Sequence, residues 1–189
     1  MERKNTWLSY TEEEIEKLES LASDYKEYLT GGKTERECVK ESVKLAQRAG
    51  YQDLEHFIAE EKKLNPGDKV YRTWMDKTIV LFQIGEKPME DGLNILGAHI
   101  DSPRMDLKQN PLYEDTEMVL LDTHYYGGVK KYQWVTLPLA LHGVVIKKDG
   151  TTIEISIGEK ETDPVVGVTD LLIHLSAQQL EKKAKVVIE

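Results

Sequence analysis

The chain has 189 residues, enough for one ordinary domain or for one domain and part of another. Hydrophobic residues make up 40% and charged residues 31%, a globular balance without any block that would force disorder. The net charge of -9, with no Lys/Arg run and no basic-aromatic stripe, argues against a nucleic-acid or anionic-membrane partner, since binding phosphates needs clustered cations.

The opening residues, MERKNTWLSYTEEE, are polar where a signal peptide needs an apolar core, and no apolar run approaches the ~20 residues needed to cross a bilayer. The expected setting is therefore the cytoplasm. Thr11 and Glu14 have the spacing of a capping box, as do Thr34 and Glu37. Ile15, Leu18, Leu21, Ala22, Tyr25, Tyr28 and Leu29 follow the first cap at helical intervals, and Gly31-Gly32 stops the run. Val39, Val43 and Ala46 continue a second helical face up to Gly50. Cys38, the one cysteine, falls in that pattern, which predicts a packed thiol and leaves no disulfide framework or Cys-rich zinc site. DLEHFIAEEKK predicts a third helix, capped by Asp53 and ended by NPG, with His56 at its surface.

From about Lys69 the period changes. KVYRTWM and KTIVLFQIG have the β-branched and aromatic content of strands, with a turn at Asp76-Lys77. LNILGAHI predicts a third strand, apolar throughout and hence buried on both faces. Helices followed by such strands suggest an α/β layer with its sheet covered by helices. Farther on, VTLPLALHGVVIKK and TTIEISIG flank Asp149-Gly150, a hairpin signal, and Ile153, Ile155 and Ile157 predict a strand buried on one face. TDLLIHLSAQQLEKKAK predicts a helix capped by Thr169 or Asp170. His124 is expected in a loop beside Tyr125 and Tyr126, and His142 at the edge of a core.

The chemistry concentrates in NILGAHIDSPRMDLKQNP, Asn94 to Pro111. Functional groups in open α/β sheets gather at the carboxyl ends of strands, where His99 and Asp101 are expected to lie. Two residues apart on an extended segment, their side chains point to the same side. Imidazole is a common zinc ligand, and a neighbouring carboxylate can orient it. Pro103 stiffens the exit by fixing its own φ and restricting Ser102. Taken alone, His-x-Asp is a weak signal that more often marks a hydrogen-bonded loop histidine, and its position after an apolar strand brings the two readings level.

The wider pattern is more specific. GAHIDSPRMDLKQNPLYED resembles the signature of the aspartyl aminopeptidase and vacuolar aminopeptidase I family of zinc metallo-aminopeptidases, in which a Gly/Ala-His-x-Asp-Ser-Pro motif precedes a Lys-x-Asn-Pro-like element. HYYGGVKKYQWVTLPLALHGVV resembles the family's glycine-rich segment, and VTDLLIHLS a later segment that carries a histidine. The resemblance covers most of residues 70 to 180, in the family's order. It implies the N-terminal portion of a zinc-exopeptidase α/β sandwich over residues 1–108, followed by an incomplete, β-rich inserted domain of oligomerisation type over 109–189. It further implies that His99 binds one of two zinc ions, that Asp101 holds a metal-binding group in orientation, and that His174 contacts substrate at a neighbouring subunit's site.

Such an enzyme also needs a bridging carboxylate, further His and Asp/Glu ligands and a glutamate base; two metals polarise the scissile carbonyl and supply hydroxide. In the family these follow the inserted domain, so this stretch is expected to be inactive alone. No His-Glu-x-x-His, Cys-x-x-Cys, Gly-x-Ser-x-Gly or phosphate-binding loop offers a substitute. The implied partners are peptide substrates and further copies of the chain. The alternative is a non-catalytic self-association or interaction module derived from such an enzyme, whose apolar strand face needs a cover.

Overall fold

The computed structural model describes residues 5–188. It divides between Asp101 and Ser102 into two compact units.

The first unit opens with two capped helices. α1 spans Glu12–Gly31 and α2 Glu35–Arg48, and both start in a complete capping box. The Thr11 backbone N–H donates to Glu14 Oε2 at 2.8 Å, and the Glu14 N–H returns a bond to Thr11 Oγ1 at 3.3 Å. Thr34 and Glu37 repeat the arrangement, with the Thr34 N–H donating to Glu37 Oε2 at 2.9 Å. Three acidic residues in the first turn of α1 suit the positive end of its dipole. At the corner between the helices, a Cβ on Gly32 would lie 2.7 Å from Cys38 Sγ, so only glycine lets α2 approach the end of α1. The Tyr28 hydroxyl closes this corner 3.0 Å from Ser42 Oγ.

β1 (Gln52–Asp53) runs parallel to β2 (Lys69–Trp74), and β2 pairs antiparallel with β3 (Thr78–Gln83), in the sheet order β1-β2-β3. Met75 and Asp76, both at positive φ, make the turn together with Lys77. α3 covers Leu54–Ala59, shorter than DLEHFIAEEKK suggested, and His56 on it is exposed. Asp53 caps it by accepting the Glu55 N–H at 3.0 Å. The core is small: Cys38, Val39 and Ala46 from α2 meet Val70 and Tyr71 from β2, and Gln47 donates to the Tyr71 hydroxyl at 3.0 Å. Burial pushes the Cys38 thiol above its ordinary pKa, as suits a packed and unreactive sulfur.

The expected third strand is a correction. Leu93 to His99 pair with no strand and are exposed, with Leu96 at 100%. A strand exists only through neighbours that take up its backbone donors and acceptors, and among the described residues none pairs with this segment.

In the second unit, β4 (Arg104–Asp115) and β5 (Met118–Tyr126) form one antiparallel pair, and β6 (Leu141–Ile146) and β7 (Thr152–Ile157) another. The β4–β5 register shifts between Leu107 and Leu112, which accommodates Pro111 and its missing N–H. Gly150, at φ 85°, closes the β6–β7 loop, with its N–H donating to the Lys147 carbonyl at 2.9 Å. On β7 the three isoleucines share one partly covered face: Ile155 is half-buried, and Ile153 and Ile157 are 38% and 37% exposed.

The long helix expected from Thr169 is also corrected. The segment forms a 3-10 turn at Ile173–Leu175, a single α-turn, α4, at Ala177–Leu180, and a further 3-10 turn at Ala184–Val186. Instead of capping, Asp170 Oδ1 accepts from its neighbour's Leu171 N–H at 2.8 Å and from Gln179 Nε2 at 2.9 Å. Short helices persist mainly by burying an apolar face, and Leu171, Leu172 and Leu175 bury none here. No helix among the described residues is long and apolar enough to cross a membrane.

Candidate metal-ligand pair

His99 and Asp101 lie on the irregular stretch that follows the apolar Leu93–Ala98 run, inside the first unit. The i, i+2 spacing brings them together. His99 Nδ1 is 3.1 Å from Asp101 Oδ1 and 3.1 Å from the Asp101 backbone oxygen. Both oxygens accept only, so Nδ1 carries the proton and donates to the pair. The other ring nitrogen, Nε2, is then the one with a lone pair available. The His99 side chain is 85% exposed, so that lone pair is accessible to a ligand from outside. A carboxylate on one ring nitrogen and a metal on the other is the usual way a protein fixes a histidine ligand's tautomer and raises its basicity.

The pair is not a metal site by itself. A catalytic zinc keeps three protein ligands, and among the described residues no group of three His, Cys, Asp or Glu side chains is placed to hold an ion. His99 fits as one ligand, and the donor set among the described residues does not extend to a full coordination sphere.

The other expected residues are distributed as follows. His174 sits in the 3-10 turn of the second unit and is exposed. His124 is a correction: it lies within β5, not a loop, opposite Asp106 and stacked on Tyr125 at 5.5 Å. Its i, i+2 neighbours Asp122 and Tyr126 show the strand alternation that the following Gly127-Gly128 obscured. His142 lies in β6, where Nε2 is 2.8 Å from Glu159 Oε1.

Sequence reading also passed over Arg104. Its Nε donates to Asp106 Oδ1 at 2.7 Å, and its guanidinium lies 4.2 Å over the Tyr126 ring, the residue it faces across β4–β5. Nη1 reaches the Ser102 carbonyl at 3.4 Å. The clamp fixes the start of β4 immediately after Ser-Pro, and the Arg-x-Asp alternation of a strand was its only sequence signal.

Comparisons with known proteins show the family to which the chain is similar. The family described as aminopeptidase I zinc metalloprotease, M18, matches residues 28–187. A probable M18 family aminopeptidase 1 from Clostridium acetobutylicum is 53% identical over 188 residues, which is 100% of this chain and 40% of the relative. The crystal structure of aminopeptidase I from that organism superposes with a TM-score of 0.84, covering 100% of this chain and 41% of its own. An M18 aminopeptidase structure from Thermotoga maritima gives a TM-score of 0.84 at 43% identity, covering 97% and 39% respectively. The chain therefore spans about two-fifths of the length of the relatives it matches.

Proposed function

Because the chain belongs to the aminopeptidase I zinc metalloprotease family, M18, we propose that it supplies the N-terminal part of a cytoplasmic two-zinc aminopeptidase that removes N-terminal amino acids from peptides. His99 supplies one nitrogen ligand through Nε2. Asp101 acts through His99 as a positioning residue: its carboxylate and its carbonyl hold the Nδ1 proton and so keep Nε2 unprotonated. His174 contributes to the substrate pocket of a neighbouring copy. The remaining ligands and the base belong to sequence beyond these residues, and the 189-residue chain does not turn over peptides by itself.

One observation carries the reading: an accessible imidazole whose inner nitrogen is already engaged by a carboxylate, within the Gly-Ala-His-Ile-Asp-Ser-Pro motif. The test compares two proteins supplied with zinc, the chain alone and a fusion in which it replaces the matched two-fifths of the Clostridium relative. Release of N-terminal residues by the fusion and none by the chain is expected. Stoichiometric turnover by the chain alone would overturn the division of ligands.

A second reading, self-association without catalysis, is favoured by the apolar side chains of Leu171, Leu172, Ile173 and Leu175 that stand exposed in the second unit. A fusion that assembles but neither binds zinc nor hydrolyses peptides would select it.

A further inference from the structure

His174 stands on a stretch of the second unit that apolar packing does not hold. Leu171, Leu172, Ile173 and Leu175 around it are 55%, 71%, 64% and 70% exposed, so no buried face fixes their backbone. Among the described residues the His174 imidazole makes no hydrogen bond or ion pair, so the ring goes where the backbone puts it. Polar bonds at the two ends of the stretch hold that backbone. At the entry, the Thr136 N–H donates to the Val168 carbonyl at 2.8 Å. At the exit, Ser176 is 3% exposed; its hydroxyl donates to the Ile173 carbonyl at 3.0 Å, and its own carbonyl accepts the Leu180 N–H at 2.9 Å. Side chains nine residues apart join the two ends. The half-buried Gln179 donates through Nε2 to Asp170 Oδ1 at 2.9 Å, and the same oxygen accepts the Leu171 N–H at 2.8 Å.

We infer that Asp170, Gln179 and Ser176 are positioning residues for His174: the Asp170–Gln179 bridge closes residues 171–178 into a loop, and Ser176 sets the turn that carries the imidazole. The choice of bonds at Asp170 separates this role from helix capping. A capping carboxylate takes the N–H two or three residues on and starts a helix. Asp170 takes the next N–H and a side chain nine residues away, which closes a loop instead. Its charge strengthens both bonds relative to those of a neutral acceptor. At Ser176 the buried hydroxyl has its acceptor in Ile173, so satisfying it draws in the turn of which His174 is the middle residue. A side chain that serves a site on another copy works only for the fraction of time that it is in place, and apparent affinity falls with that fraction. The bridge raises the fraction without any buried apolar face. The inference rests on the proposed role of His174 at a neighbouring copy's substrate pocket, whereas the closure of the loop does not.

The first measurement uses the 189-residue chain. Nitrogen-15 relaxation of residues 171–175 is expected to give order parameters of about 0.8 in the parent and below about 0.6 in Asp170→Ala, Gln179→Leu and Ser176→Ala. Asp170→Asn keeps an acceptor oxygen and is expected to retain the ordered loop. Amides of β6 and β7 are expected to keep their chemical shifts in every variant, which separates opening of the loop from unfolding of the unit. The second measurement uses the fusion with the Clostridium relative. D170A and Q179L are each expected to lower kcat/KM about three- to tenfold, and D170N to restore most of it. In a His174→Ala background D170A is expected to cost nothing further, because a residue that acts through the imidazole has no effect once the imidazole is gone.

Order parameters at 171–175 that are low in the parent, or that D170A and Q179L leave unchanged, would overturn the closure of the loop. A fall in turnover by D170A that is equal with and without His174 would overturn its action through the imidazole, as would parent-like kcat/KM in D170A. A fusion that hydrolyses no peptide would remove the peptidase reading and the role of His174 with it. The closure of the loop would then still stand or fall by the relaxation data from the chain alone, so the two failures are told apart.

Discussion

Removing the Asp101 carboxylate tests the positioning role in the chain as it stands, before any metal is involved. In Asp101→Ala the His99 Nδ1 proton loses the acceptor at 3.1 Å and keeps only the residue 101 carbonyl, also at 3.1 Å. A hydrogen bond of this kind contributes about 0.5–1.5 kcal/mol, and an imidazole 85% exposed to water sits in the lower half of that range. A loss of about 0.5–1 kcal/mol lowers the ratio of Nδ1-protonated to Nε2-protonated ring by about two- to fivefold. Nitrogen-15 spectra of histidine-labelled protein at a pH of about 9, where free imidazole is neutral, read that ratio directly. The wild-type ring is expected to be mainly Nδ1-protonated and the variant measurably less so. A wild-type ring that is mainly Nε2-protonated, or a ratio that D101A leaves unchanged, would refute the argument that Asp101 presents Nε2 to a metal.

Two further predictions concern the scaffold. Val70 is completely buried at the centre of a small core, so Val70→Ala loses about 1.6 kcal/mol of transfer free energy and about 2–3 kcal/mol once the cavity is included. Urea unfolding followed by far-ultraviolet circular dichroism should show it, and a change under about 0.5 kcal/mol, as at an exposed site, would mean that α2 and β2 do not form the core. The Thr11 backbone N–H, and after it the Thr11 hydroxyl that Thr11→Ala removes, hold the Glu14 carboxyl below its ordinary value of 4.5. Because the folded-state value is the lower one, the capping box contributes fully above about pH 4.5 and is lost as pH falls through the depressed value. A carbon-13 titration of Glu14 should show a midpoint below 4.5 that Thr11→Ala moves upward; a midpoint at or above 4.5 in the parent chain would contradict the capping box.

What the sequence disclosed and what it hid separate by the range of the interactions involved. Both capping boxes were legible because Thr11 and Glu14, or Thr34 and Glu37, satisfy each other across three residues. The β2–β3 hairpin was legible from two runs rich in β-branched and aromatic residues and a short turn. His99 and Asp101 meet because period-two geometry is likewise local. The β4–β5 pair escaped notice because Pro111 argues against a strand and because its turn, Thr116-Glu117, takes positive φ at both residues without glycine. The apolar runs at 93–100 and 171–175 were misread for a different reason. Their composition records a burial that depends on neighbours distant in sequence, and composition alone cannot say whether those neighbours are present.

The central claim is that His99 is a zinc ligand, and the most direct measurement is the zinc content of the full-length fusion described above, with and without His99→Ala. The account predicts that H99A loses about one zinc per chain under stringent dialysis and that peptide hydrolysis falls by about a hundredfold or more, with the unfolding transition of the first unit unchanged. Zinc retained at the parent level, with turnover intact, would contradict it.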